Sequence, residues 1–308
     1  MLYAYGSCIG GEYMFIVSFF GGLGSQMEQY AFYKALKHHY PTASVKMDNF
    51  HIIRAGMHNG YELDYVFGID KNEATLEQIQ ALSDKVPYGV KRRAFYELAN
   101  RVRRNIIGPK ESWILAEDPS EYMKEIFELS PLKSYIFVGN WSYLYWEDII
   151  DEVLDDFKFI HPLEGMKLEI SKRIESSNAV SVHVRRGDYI STGLPTLSSD
   201  YYRKCFSIIE SKVENPVYYF FSDDMDYVKQ EYVDIENKVF VEGNTGINAY
   251  VDMQLMSLCK HNIIANSTYS RWGASLNRNK NKIVISPRRH VEGLKKPFGH
   301  TDWILIDN

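Results

Sequence analysis

The sequence predicts an α/β protein built on parallel, doubly wound sheets in two domains. Three observations point there. The chain has 308 residues, which at roughly 100–200 residues per domain suggests two domains. Its second half alternates apolar strand runs with helical patterns over short connections, the order that closes into a parallel sheet. Its first apolar run, Met14 to Phe20, leads straight into Gly21-Gly22-Leu23-Gly24 and then a helical pattern, a tight strand-to-helix turn.

In order, the first half is expected to hold a strand over 15–20, a helix over 26–39 and a strand over 45–47. A helix over 74–82, a strand over 135–138 and a helix over 143–157 follow. Residues 159–165, with Pro162 and Gly165, read as a linker. The domains are therefore expected at 14–160 and 161–308, with 1–13 an N-terminal extension. The second half is expected to run strand 179–184, helix 199–211, strand 217–221, helix 225–232, strand 238–241, helix 248–260, strand 262–265, helix 270–277 and strand 282–285. Ser198, Ser199 or Asp200 caps the 199–211 helix.

Composition narrows the function. A hydrophobic share of 45% gives a globular chain with a sizeable core. A net charge of −5 argues against a dedicated nucleic-acid binder. Cys8, Cys205 and Cys259 are far apart and form no C-x-x-C, which fits a reducing compartment and neither a disulfide framework nor a structural zinc site. No apolar run is long enough to span a bilayer, and no Lys or Arg precedes Lys34, unlike a secretory leader.

In a doubly wound sheet, ligands sit beyond the carboxyl ends of the strands, and three such ends are polar. The first is His183-Val184-Arg185-Arg186-Gly187-Asp188-Tyr189. Period two puts His183 and Arg185 on the face opposite the valines. Adjacent arginines beside a glycine turn suit a diphosphate, because the guanidinium fork grips oxyanions bidentately. The structural alternative is an Arg–carboxylate network with Asp188 as partner. The tripeptide Arg186-Gly187-Asp188 is set aside as an adhesion motif because it abuts a buried strand.

The second end, Phe221-Ser222-Asp223-Asp224, can accept hydrogen bonds from a base or ribose, or can cap the next helix through Ser222 or Asp223. The third, Asn266-Ser267-Thr268-Tyr269-Ser270, combines small polar side chains with a helix start, which is an anion site or an ordinary cap. Gly21, Gly22 and Gly24 allow close backbone approach to a ligand. They meet neither the G-x-G-x-x-G nor the Walker spacing.

Together with the run from Asp252 to Ser270 and Trp272-Gly273-Ala274-Ser275-Leu276-Asn277, these motifs resemble, in content and order, the α-1,2-fucosyltransferases of glycosyltransferase family eleven. The likeness spans about Met14 to Asn277. It implies a GT-B fold, with two Rossmann-like domains facing a central cleft. It also implies transfer from GDP-β-L-fucose to a β-galactoside acceptor glycan, with inversion and without a metal or other cofactor. By the same likeness Arg185 holds the β-phosphate and Arg186 assists it. His183 and Asp223 meet the guanine or ribose, and Ser267, Thr268 and Ser270 form the phosphate loop. The Gly21–Gly24 turn would come from the acceptor-side domain. Asp188 is the candidate general base. The family usually has Asn at Ser25, an aromatic at Glu28 and Trp at Arg271, differences that bear on acceptor choice. Arg271 either adds charge near the diphosphate or points to solvent. A non-catalytic sugar- or nucleotide-binding module is the competing reading.

Residues 90–106 carry Lys91, Arg92, Arg93, Arg101, Arg103 and Arg104 against Glu97, with Val90, Ala94, Leu98, Val102 and Ile106 every fourth residue. This reads as one helix whose apolar stripe faces either the core or an anionic membrane surface. A bacterial cytoplasmic enzyme, with peripheral contact at the inner face of the membrane, is the expected setting. Surface polysaccharide or lipopolysaccharide synthesis is its expected role.

Overall fold

In a computed structural model, residues 13–50, 52, 58–86, 90–116, 118, 121–289, 300 and 302–308 are described. The chain divides into two units, Met1–Asp156 and Phe157–Asn308; the sequence had put the division at 160/161. Apart from Tyr13, the extension expected over 1–13 lies outside the described residues.

In unit 1, β1 (Met14–Ser18) is buried along its whole length. That is why it reads as an unbroken apolar run, since a central parallel strand is covered on both faces. It pairs in parallel with β2 (Ser44–Asp48) on one side and β4 (Tyr135–Gly139) on the other. Strand β3 (Trp113–Ala116) closes the order β2-β1-β4-β3. Helix α1 (Leu23–His39) follows β1, the short α2 (Leu63–Phe67) follows β2, and α3 (Leu76–Leu82) starts at a capping box made by Thr75 and Gln78. Helix α4 (Arg93–Ile107) covers most of the expected basic segment.

The helix expected over 143–157 is broken. Tyr143–Tyr145 and Glu147–Ile149 are single 3₁₀ turns, Trp146 breaks the path at φ −130°, and only α5 (Ile150–Asp156) is α-helical. Trp141, Tyr145 and Trp146 are each 1% exposed. Consecutive residues point about 100° apart on a regular helix, so burying both Tyr145 and Trp146 favours a broken path. Trp141 stacks on Phe32 of α1, with ring centroids 3.9 Å apart.

In unit 2 the expected linker runs into an unforeseen helix, α6 (Gly165–Glu175), in which only Ser171 and Ile174 are buried. Strand β5 (Asn178–Val184) leads to another unforeseen helix, α7 (Gly187–Thr192). Then come α8 (Ser199–Glu210), β6 (Pro216–Ser222), α9 (Met225–Glu231) and β7 (Lys238–Phe240). The chain continues through α10 (Tyr250–Leu258), β8 (His261–Ile263), α11 (Thr268–Ser275), β9 (Val284–Pro287) and β10 (Ile304–Ile306). All pairings are parallel, in the order β10-β9-β8-β5-β6-β7. Its core packs Val180, Val182, Tyr202, Phe206, Phe220 and Tyr232 between sheet and helices. Cys205 and Cys259 are buried free thiols. Among the described residues, no helix is long and apolar enough to cross a membrane.

Candidate active site

Strand β5 lies between β8 and β6, and the chain leaves it toward β6 and returns on the other side as β8. This is the topological switch point of the sheet, where ligands of doubly wound folds bind. The polar clusters foreseen in the sequence converge on the carboxyl ends of these three strands.

His183 is 4% exposed, and its ring packs 5.7 Å from that of Tyr269. Burial, and then the charge of Arg185, hold its imidazole far below the usual histidine range, so it is neutral. Its Nδ1 is buried and has no hydrogen-bond partner.

Arg185 donates from NH2 to Asp188 Oδ2 at 2.6 Å, and its NH1 pairs with Asp223 Oδ2 at 3.1 Å. Burial pulls its pKa down, but Asp223 and Asp188 outweigh this and leave it raised. Its Nε is also buried without a hydrogen-bond partner. Asp223 accepts from the Arg186 amide at 2.9 Å. Burial would raise its pKa, yet Arg185 and the amides of Arg186 and Gly187 prevail and keep it below the usual carboxylate range.

The side chain of Arg186 turns away from this pair. Its Nε donates to Asp224 Oδ2 at 3.1 Å, and its guanidinium lies 3.5 Å from the ring centroid of Tyr227. Gly187 lets the turn pack closely on Asp223, since a Cβ there would sit 3.0 Å from Asp223 Oδ2. Helix α9 is capped by Asp224, which accepts from the Tyr227 amide, and not by Ser222 or Asp223. Ser222 Oγ instead accepts from the Asp224 amide at 3.0 Å. Asp223 is thereby left to Arg185.

The third end is tied to the first by Tyr189, whose hydroxyl donates to Asn266 O at 2.9 Å. Ser267 is the N-cap of α11 and its side chain makes no cap hydrogen bond. Thr268 is half-buried and opens the helix. Ser270 is fully buried and donates to Ser267 O at 3.2 Å. It is a packing residue on the inner side of α11. Arg271 does not point to solvent, being 8% exposed. Deeper in unit 2, Asp252 accepts from Asn244 Nδ2 at 2.6 Å, and burial pushes its carboxyl up to about 7.

The glycine turn belongs to unit 1, at the end of β1. Gly21 has φ +76° and Gly22 is the helix N-cap, while Gly24 and Ser25 already lie inside the first turn of α1. The helix thus begins at Leu23 and not at 26. Gln26, which no motif in the sequence singles out, organises the turn. Its Nε2 donates to Gly21 O at 3.0 Å and Gly60 O at 2.8 Å, and its Oε1 accepts from the Glu62 amide at 2.9 Å. His58 was also missed; its Nδ1 lies 3.5 Å from where a Cβ on Gly22 would be. Glu28 is buried at 2%.

The family described as Glycosyl transferase family 11 matches residues 119–306. The O-antigen biosynthesis glycosyltransferase WbnK of Escherichia coli is 30% identical over 303 residues, covering 93% of this chain and 98% of that one. An alpha-1,2-colitosyltransferase of Escherichia coli is 31% identical over 282 residues, covering 87% and 89%. Among solved structures, NodZ alpha-1,6-fucosyltransferase co-crystallised with GDP superposes with a TM-score of 0.50 at 14% identity, covering 85% of this chain and 91% of that one. The two parallel α/β units, with this likeness, place the fold in the GT-B class. Within that class, the chain belongs to glycosyl transferase family 11.

Proposed function

We propose that the protein is an inverting α-1,2-fucosyltransferase. It would move L-fucose from GDP-β-L-fucose to the 2-hydroxyl of a terminal β-galactoside during assembly of a surface polysaccharide such as O-antigen. The observation that carries the donor side is the pair of buried, unpartnered nitrogens at the end of β5, His183 Nδ1 and Arg185 Nε. Buried polar groups are nearly always hydrogen-bonded, so such a pair at a switch point favours a ligand that completes it. The relatives named as an O-antigen biosynthesis glycosyltransferase and as an alpha-1,2-colitosyltransferase support the activity.

Without its ligand the cluster is not cationic. Arg185 and Arg186 face Asp188, Asp223 and Asp224, so carboxylates outnumber guanidiniums. A diphosphate arriving at Arg185 therefore displaces a carboxylate. Asp188 is the one placed to leave, because its side chain is 44% exposed against 25% for Asp223, which backbone amides also hold. As the glycosidic bond to phosphate breaks, negative charge grows on the departing GDP. The freed Arg185 fork and the α11 first-turn amides stabilise it, a role worth about 3–4 kcal/mol per preorganised donor. In this scheme Asp188, once released, is free to take the acceptor proton. The scheme uses no divalent cation: Asp223 and Asp224, the acids that would offer a metal its oxygens, are engaged by Arg185 and Arg186.

Colitose is the second donor reading, favoured by the colitosyltransferase relative. GDP release from GDP-fucose, and from the corresponding colitose nucleotide, is measured with and without a β-galactoside and with EDTA, and the product linkage is read by NMR. Acceptor-dependent, EDTA-resistant release from GDP-fucose with a 1→2 linkage is expected. Tight GDP binding with no turnover of either donor would instead favour a binding module.

A further inference from the structure

Helix α4 is amphipathic in the reverse of the usual sense. Arg93, Glu97, Asn100 and Arg104 recur at helical spacing on the side that faces unit 1. Arg93 Nε donates to Val86 O at 3.2 Å and its NH2 to Glu97 Oε1 at 3.1 Å, while Glu97 also accepts from the Val86 amide. Asn100 Nδ2 and Arg104 NH1 donate to Asp84 O at 3.2 and 2.7 Å. Arg103 pairs with the Asp84 carboxylate, whose side chain is 0% exposed and which also accepts the Lys110 amide at 2.9 Å. The helix is thus pinned by its polar side to the segment around Asp84.

Its apolar side faces out. Phe95 is 66% exposed, Leu98 61%, Val102 49% and Ile106 75%. At spacings of three, four and four these four residues fall on one face of the helix. No residue of α4 is buried. The core-facing stripe allowed for in the sequence is therefore corrected: the core side is polar because it has a buried carboxylate and open backbone groups to satisfy. Lys91, Arg92 and Arg101 are exposed at the edges of the apolar face, while Glu97, the acid of the helix, is spent inward.

We propose that the outer face of α4 docks on an anionic lipid surface, with Phe95, Leu98, Val102 and Ile106 entering the headgroup–acyl boundary and Lys91, Arg92 and Arg101 at the anionic headgroups. Charge decides the occupant. Exposed cations beside an apolar stripe match an anionic bilayer, whereas a second copy would bring like charges together at a cost. The whole chain carries a net charge of −5 even with this basic segment included, so the remainder is more acidic and is repelled by the same surface, and the patch also orients the molecule. This inference does not rest on the identity of the sugar donor.

The test is flotation of the full chain with phosphatidylcholine vesicles, with and without phosphatidylglycerol. Binding is expected only with phosphatidylglycerol, weakening as salt rises. The pair Leu98→Glu and Ile106→Glu should cut it about tenfold or more, and Arg92→Glu with Arg101→Glu should remove its salt dependence. Both changes lie on exposed positions and should leave circular dichroism unchanged. If the Glu pair disturbs folding, Phe95→Trp serves in its place, its emission shifting to the blue on adding the anionic vesicles. The proposal is overturned if anionic vesicles do not bind the chain, if the folded Glu pair binds equally well, or if the face instead mediates a lipid-independent dimer that Leu98→Glu dissolves.

Discussion

The first strand of each unit ends in a turn at its sheet's switch point, and the two turns are made of opposite materials. After β1 the turn is held by neutral groups: the Gln26 amide bridges Gly21, Gly60 and Glu62. After β5 it is held by charge, with Arg185 between Asp188 and Asp223 and Arg186 against Asp224. The same topology thus gives one end that offers close backbone approach and another that stores ion pairs an incoming anion can exchange. The neutral turn is held by amide hydrogen bonds, whereas the charged one is a competition that a ligand can tip.

Replacing Arg185 tests that contrast most severely. Arg185→Ala is expected to lower kcat about a hundred- to a thousandfold in a GDP-release assay, the usual loss for one preorganised donor. Arg185→Lys should recover little, because a point charge does not replace a fork. Near-normal turnover of Arg185→Ala would leave the charged turn a structural network only.

A second test separates paired from unpaired carboxylates. Asp223 is held ionised by Arg185, while Asp252 has the neutral Asn244 and a carboxyl raised to about 7. A folded pKa above the unfolded value of about 3.9 means the folded state holds its proton longer. The stability this contributes is full below about pH 4 and is lost as pH rises through about 7. Relative to Asp252→Asn, the wild type should lose about 2–3 kcal/mol of unfolding free energy between about pH 5 and pH 8 in urea titrations. Parallel curves would mean that Asp252 is ionised in the fold.

On the neutral side, Gln26→Leu keeps volume but strips the turn of its bridge. A stability loss of about 2 kcal/mol is expected, from leaving the buried Glu62 amide and the Gly21 carbonyl unpaired, measured by denaturant unfolding. Asp188→Asn should have the smallest and most informative effect. If Asp188 serves mainly as the clamp on Arg185, donor KM falls a few-fold and the pH profile keeps its acid limb. If it is the base, kcat falls and that limb disappears.

Most of the second unit was legible because its central strands are buried on both faces and α8 starts at a visible cap. Val180, Val182 and Val184 announce β5, and Ser198 announces α8 by accepting from the Tyr201 amide. The elements that escaped notice have little burial to leave a pattern. Helix α6 buries only Ser171 and Ile174, and β10 is a three-residue strand at the sheet edge, half-buried throughout. The helix expected over 143–157 failed for the opposite reason, since Trp141, Tyr145 and Trp146 all demand burial at once.

By itself the sequence determined the parallel α/β class, the family resemblance through its strand-end motifs, and the residue types at the charged turn, because side-chain period and turn chemistry are local properties. Only the tertiary structure decided who pairs with whom. It gave Asp188 and Asp223 to Arg185, moved the α9 cap to Asp224, buried Arg271 and turned the apolar face of α4 outward. Those choices depend on groups distant in sequence, such as Asp84 beneath α4 and Asp223 beside Gly187. A buried charge or amide takes whichever partner the fold brings within hydrogen-bond reach.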